Sequence, residues 1–223
     1  MISLEPFAPP ATPLFARSDY RPSCWRCRRP LNGCYCSLIQ PFASDPRIVI
    51  LCQPREAKHR LGTGRMAHLC LSNSALIQGV DFTSDLRVNR EIEDPVNFSV
   101  LLYPSNDSID LSKLDELQRR ALVPRRQRLV VFVLDGTWKS VRKMIGLSEN
   151  LRRLPTISFT PVTPSGYRIR RQPRPQCYST VEAIHQVIEL FTSDGKGSGA
   201  ARPQDNLLAV FAALVNRQLT YTP

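Results

Sequence analysis

The chain has 223 residues, 42% of them hydrophobic, with 30 Lys plus Arg against 19 Asp plus Glu and a formal net charge of +11. That apolar fraction excludes a disordered chain, and no window holds the roughly 18 apolar residues of a membrane span. The length suits one domain of roughly 150–200 residues plus an appendage, and the positive excess favours a polyanionic partner, nucleic acid first.

Residues 1–20 contain Pro6, Pro9, Pro10 and Pro13 and lack a basic start followed by an apolar run. They read as a flexible leader and not as a signal peptide, which predicts a cytoplasmic protein. Structural disulfides are rare there, so the seven cysteines need another explanation. Four of them, Cys24, Cys27, Cys34 and Cys36, fall within thirteen positions. Two close pairs, each on a short turn, suit the tetrahedral preference of Zn²⁺ for thiolates at about 2.3 Å. Four reduced thiols, disulfides and an iron–sulfur cluster are the competing readings. With all four ligands supplied by protein, the metal is expected to be structural, in a small module over residues 21–42. The flanking Arg26, Arg28 and Arg29 are either phosphate contacts or solvated surface.

After Pro41 the pattern turns α/β. Unbroken β-branched runs at 48–52, 100–103 and 129–134 suit strands buried on both faces of a parallel sheet. Helical periodicity predicts helices over 111–120, 138–145, 183–191 and 206–219, the last capped by Asp205. Strands alternating with helices predict a mostly parallel sheet in a domain over residues 43–223. Residues 195–199, Gly-Lys-Gly-Ser-Gly, read as a linker; the upstream glycine and strand of a phosphate-binding loop are missing. Cys52 and Cys70 read as small core hydrophobes.

In open α/β sheets ligands bind beyond the carboxyl ends of strands. Gln53-Pro54-Arg55-Glu56 and Leu61-Gly62-Thr63-Gly64-Arg65 follow the first run. Asp135-Gly136-Thr137-Trp138 follows the third, where Asp135 is either functional or a helix cap. Trp138 offers a flat face or packs on the helix stripe. Ser179-Thr180-Val181-Glu182 fits a capping box, and a helix start also attracts anions. Tyr167, Arg168, Arg170, Arg171 and Arg174 form a dense phosphate-binding candidate, with Tyr167 as a stacking platform. Arg119, Arg120, Arg125, Arg126 and Arg128 form a second basic run, read as a solvated face ahead of a phosphate contact.

As an ordered set these motifs resemble the DTW-domain family, the tRNA-uridine aminocarboxypropyltransferases. The set runs Cys24-x2-Cys27-x2-Pro30-x3-Cys34-x-Cys36, Pro54-x-Glu56, Thr63-x-Arg65, Asp135-x-Thr137-Trp138, Tyr167-x-Ile169-Arg170 and Ser179-Thr180-x-Glu182, from about residue 24 to 191. Two positions depart from the family pattern: Gln53 stands where histidine is common, and Gly62 where asparagine is common. The resemblance implies a SPOUT-like α/β fold with a C-terminal trefoil knot, which periodicity does not reveal. It implies transfer of the 3-amino-3-carboxypropyl group of S-adenosylmethionine to N3 of a tRNA uridine, with methylthioadenosine released. Asp135 is then the expected base or the group that orients the donor's amino group. Glu56, Thr63, Arg65, Gly136, Thr137, Trp138, Ser179, Thr180 and Glu182 are expected around the donor, with the Ser179 and Thr180 region taking its carboxylate. Arg55 and the 167–174 segment are expected on RNA, and the chain as a monomer or homodimer. A SPOUT-type methyltransferase, the same chemistry on ribosomal RNA, and a non-catalytic zinc-containing RNA-binding protein are the alternatives.

Overall fold

A computed structural model describes residues 22–59, 61–169, 177–192 and 202–220. The three apolar runs are the middle of a six-stranded sheet. They form β1 (Arg47–Cys52), β3 (Asn97–Leu102) and β5 (Arg128–Asp135), joined by the shorter β2 (Ala75–Gln78), β4 (Ile109–Asp110) and β6 (Thr156–Ser158). The order is β2-β1-β5-β3-β6-β4, and every pairing is parallel. β5 lies between β1 and β3, in register Ile48↔Val131 and Cys52↔Asp135 on one side and Leu102↔Val133 on the other. Its residues from Leu129 to Asp135 are all buried, as a central strand covered on both faces requires.

Alternation along the strands builds two cores. Ile48, Ile50, Val131 and Val133 face α2 (Thr63–Cys70), α7 (Thr180–Thr192) and α8 (Asp205–Leu219), whose Met66, Ile184 and Leu207 are fully buried there. Val49, Leu51, Val130 and Phe132 face the other way. They meet Val88 of α3 (Leu86–Glu93), Met144 of α5 (Trp138–Leu147) and Leu151 of α6 (Glu149–Arg152). Two short helices complete the described set, α1 (Pro54–Ala57) and α4 (Glu116–Ala121). This layering aims the carboxyl ends of β1, β3 and β5 at one edge of the sheet, where α1, α2, α5 and α7 begin.

Two expectations are corrected. Residues 111–120 are not one helix. Leu111–Lys113 is a single 3-10 turn, and Asp115 with Gln118 then forms a capping box that starts α4. Leu117, the third apolar position of the presumed stripe, is 77% exposed. Asp205 does not cap α8: the cap is Gln204, and Asp205 lies in the first turn, with Arg202 Nε 2.9 Å from its Oδ2. The residue 1–20 leader and the 195–199 linker lie outside the described residues.

The cysteine segment packs on α8. Arg217 Nη1 donates to the Cys34 carbonyl at 2.9 Å, and Asn206 Nδ2 to the Leu38 carbonyl at 3.0 Å. The Asn206 side-chain oxygen accepts from Gln40 N–H at 2.9 Å. Cys27 and Tyr35 are buried in the same core as α2, α7 and α8. Among the described residues no helix is long and apolar enough to cross a membrane.

The layering predicts a contrast in urea denaturation. Phe132→Ala is expected to cost about 3–5 kcal/mol, whereas Leu117→Ala is expected to stay within about 0.5 kcal/mol.

Candidate active site and metal centre

Asp135 closes β5 and is 3% exposed. A carboxyl group so placed needs donors to stand in for water. Thr180 Oγ1, from the first position of α7, donates to Oδ1 at 2.6 Å. The Cys52 thiol donates to Oδ2 at 3.2 Å. Burial, and then the neighbouring Asp135 charge, push the Cys52 pKa up, which keeps the thiol in its donating form. The parallel register sets this contact, since Cys52 and Asp135 are partners across β1 and β5. Gly64 closes the third side: a Cβ built there meets Asp135 Oδ2 at 2.5 Å. The first turn of α2 therefore abuts the carboxylate because residue 64 has no side chain.

Three concavities meet at this strand end. A cavity of about 220 Å³ is lined by Asp135, Cys52, Glu56, Arg65, Cys27 and Arg28, among others. A larger one of about 330 Å³ opens on the other side of β5. Its walls are mostly apolar and aromatic: Leu102 and Tyr103 after β3, Leu134 and Trp138 around β5, and Phe159 and Tyr178. Thr180 also lines it, so the Asp135–Thr180 hydrogen bond is the partition between the two. The third is a groove of about 620 Å³ whose lining includes Gln53, Arg55, Glu56, Lys139 and Lys143.

The two departures from the family pattern have local explanations. The Gln53 side-chain oxygen accepts from the N–H groups of Arg55 at 2.6 Å and Glu56 at 3.1 Å, capping α1. A Cβ at Gly62 would lie 3.0 Å from the Glu56 carbonyl, so the loop runs close to α1 where the side chain is missing.

The expected site residues divide. Trp138 leaves the buried stripe of Val141 and Met144. It is 41% exposed at the rim of the larger cavity, 6.5 Å between ring centres from Tyr103. Gly136 lines the same cavity. Thr137 caps α5, accepting from Ser140 N–H at 3.2 Å. Thr63 is buried in the first turn of α2. Arg55 and Arg168 are exposed, and Arg170, Arg171 and Arg174 lie outside the described residues.

Glu182 draws the loop before α7 together. Its Oε2 accepts from Ser179 N–H at 2.7 Å, Ser179 Oγ at 2.6 Å and Ser165 Oγ at 2.7 Å, and its Oε1 from Gly166 N–H at 2.7 Å. The Ser179–Thr180 region is the place expected to take the donor's carboxylate, through its side chains and its backbone N–H groups. Both hydroxyls already serve protein carboxylates, Glu182 and Asp135. Tyr167 lies in the core and not on the surface expected of a stacking platform. Its ring is 5% exposed and packs edge-on against Phe211, 5.3 Å between centres, while its hydroxyl donates to the Leu61 carbonyl. No face is left for a base. Cys52, Gly64, Lys139 and Lys143 are the residues that sequence reasoning passed over.

The sulfurs of Cys24, Cys27, Cys34 and Cys36 all lie within 4.8 Å of one another. Cys24–Cys36 and Cys27–Cys34 are each 3.7 Å apart. Four thiolates at about 2.3 Å from one ion have edges of about 3.8 Å, so the cluster could hold a metal ion. Arg28, at φ 58°, takes the left-handed conformation that tightens the first turn. The Cys27 N–H holds the Cys24 thiol down at about 6, while burial pushes the Cys27 thiol up; a bound cation would favour the thiolate form of both. His185, Glu189 and Asp205 also lie close together. The Arg202 guanidinium fills that group, 2.8 Å from Glu189 and 2.9 Å from Asp205.

The DTW domain family model matches residues 21–219. A Drosophila melanogaster protein named tRNA-uridine aminocarboxypropyltransferase 2 is 31% identical over 180 residues, covering 78% of this chain and 68% of the fly protein. The Mus musculus protein of the same name is 25% identical over 92% of this chain and 66% of its own length. An Arabidopsis thaliana tRNA-uridine aminocarboxypropyltransferase A is 25% identical over 90% of this chain and 82% of its own. No solved structure matches.

Two results are expected. Gly64→Ala lowers stability by about 1–3 kcal/mol by forcing Asp135 aside, while Gly146→Ala, whose Cβ meets nothing within 4 Å, is neutral or stabilising by about 0.4–1 kcal/mol; urea denaturation of both variants checks this. Elemental analysis finds about one metal ion per chain, and a strong chelator lowers the melting temperature.

Proposed function

The chain belongs to the DTW-domain family, and from that premise we propose that it is a tRNA-uridine aminocarboxypropyltransferase that uses S-adenosylmethionine as donor. The observation that carries this reading is the buried Asp135, held by Thr180 and Cys52 at the boundary of two cavities of different character. The names of the relatives support tRNA as the substrate. The all-parallel sheet supports the α/β class to which the reading adds a SPOUT-like C-terminal knot.

The apolar, aromatic-lined cavity suits adenosine, with Trp138 and Tyr103 at its rim. In the transfer, uridine N3 attacks the γ-carbon of the donor's methionine part. The N3–C bond forms as the C–S bond breaks, and its electron pair returns to sulfur, leaving neutral methylthioadenosine. The N3 proton goes to a carboxylate in reach, the role assigned here to Asp135. Alignment of N3, carbon and sulfur is a matter of positioning, which favours a base on a rigid central strand over one on a loop.

The groove beside the site supports an RNA partner. Arg55, Lys139 and Lys143 line it, and among the described residues none of the three has an ion-pair partner. Such uncompensated cations suit a phosphate backbone. The four cysteines suit Zn²⁺, which when bound supplies a structural cross-link between the N-terminal segment and the core. The residues that hold it also wall the smaller cavity, through Cys27.

The test is isotopic. With unmodified tRNA, label from the donor's carboxyl carbon is expected in the RNA, and label from its methyl carbon in methylthioadenosine. Label entering RNA only from the methyl group would mean methyl transfer and end the reading. Asp135→Asn, which keeps the shape and removes the basic carboxylate, is expected to lower turnover by about 10²–10⁴-fold; unchanged turnover removes Asp135 as base.

A further inference from the structure

The smaller cavity holds a group that the proposed chemistry has not used. Arg65 lies on α2, one residue beyond the glycine that abuts Asp135, and it lines the cavity. Its Nε is buried and has no hydrogen-bond partner among the described residues. A buried donor without an acceptor is costly, and buried arginine donors ordinarily meet carboxylate or phosphate oxygens. Burial, and then the Arg28 charge nearby, pull its pKa below the usual arginine value. Both effects are relieved by an anion. Two buried acids, Glu56 and Asp135, line the same cavity. One pocket of about 220 Å³ therefore presents a cationic fork and carboxylates together.

At the other place suited to a ligand carboxylate, the start of α7, the side chains already serve protein carboxylates. Ser179 N–H and Oγ serve Glu182, and Thr180 Oγ1 serves Asp135. A further carboxylate there would face two protein carboxylates, and like charges at that distance repel.

We propose that the cavity between the cysteine turn and Asp135 receives the zwitterionic amino-acid end of the donor, its α-carboxylate on Arg65 and its α-ammonium against Glu56. This rests on the function proposed above and deepens it by naming the donor's recognition group. The adenosine then lies beyond the Asp135–Thr180 partition, and the chain selects donors that carry a carboxylate. An RNA phosphate is the other anion that suits an arginine, and the experiment separates the two.

Calorimetry and kinetics on the full chain compare S-adenosylmethionine with its decarboxylated analogue, which has the same sulfonium and amine but no carboxylate. The wild type is expected to bind S-adenosylmethionine about 30-fold or more tightly than the analogue, as a charge-assisted contact to a half-buried arginine implies. Arg65→Gln is expected to remove that preference by weakening S-adenosylmethionine alone. Arg65→Lys, a cation without the fork, is expected to recover part of it, which guards against reading a folding defect as lost recognition. Three results overturn the assignment. Equal binding of both donors by the wild type shows that no carboxylate is read. An equal loss for both donors in Arg65→Gln assigns the residue to structure. A raised KM for tRNA at unchanged donor affinity assigns it to phosphate. Failure of the wild type to bind either donor ends the proposed function as well, and so is distinguishable from the first three.

Discussion

A carboxylate buried at the end of a central strand has to be matched from every side, and the geometry of this site follows from how Asp135 is matched. Its donors come from β1, through the Cys52 thiol, and from α7, through the Thr180 hydroxyl. The third side is closed by α2, which comes close only because residue 64 is glycine. Three elements distant in sequence are thus tied to one side chain. The cost of leaving such a group unpaired is several times the net gain of an ordinary hydrogen bond, so the arrangement is strongly specified. The same contacts split the sheet edge into an apolar cavity towards β3 and β6 and a charged one towards β1 and the cysteine turn. A donor with an aromatic base at one end and a zwitterion at the other matches that division.

The cysteine cluster takes on a second meaning in this frame. Cys27 and Arg28 line the charged cavity, and the segment that carries them is fastened to α8 by Arg217 and Asn206. A metal ion held by the four sulfurs would stiffen a wall of the cavity. The formal charge of +11 is also distributed unevenly in role. Arg202 balances Glu189 and Asp205, and Arg120 pairs with Glu116 at 2.9 Å. Arg55, Lys139 and Lys143 line the groove with no ion-pair partner among the described residues, so net charge locates a partner only once the paired residues are set aside.

The central strands and the long helices were legible because each satisfies one strong signal. β1, β3 and β5 are unbroken apolar runs, and α7 and α8 bury a full stripe. β2, β4 and β6 are two to four residues long, too short to show a period. The presumed helix at 111–120 failed because Asp115 offers a cap that ends one turn and begins another. At the site, Asp135 was legible from its place after a buried run. Its partners were not: Cys52 reads as a core hydrophobe until the β1–β5 register sets it opposite Asp135. Gly64 shows in the sequence only as one of two glycines after β1, whereas its lack of a side chain is what the close approach to Asp135 needs. Tyr167 misled in the opposite direction. Its arginine-rich neighbours suggested a nucleic-acid surface, but the ring packs on Phe211 from α8, a contact between residues 44 positions apart.

The central claim is that one donor spans the partition made by Asp135 and Thr180. A crystal structure of the full chain with S-adenosylmethionine tests it most directly. Adenine is expected between Leu102, Leu134 and Tyr178, and the amino-acid end beyond Thr180 with its carboxylate on Arg65. A donor lying wholly on one side of Asp135, or with its carboxylate at the start of α7, would contradict it.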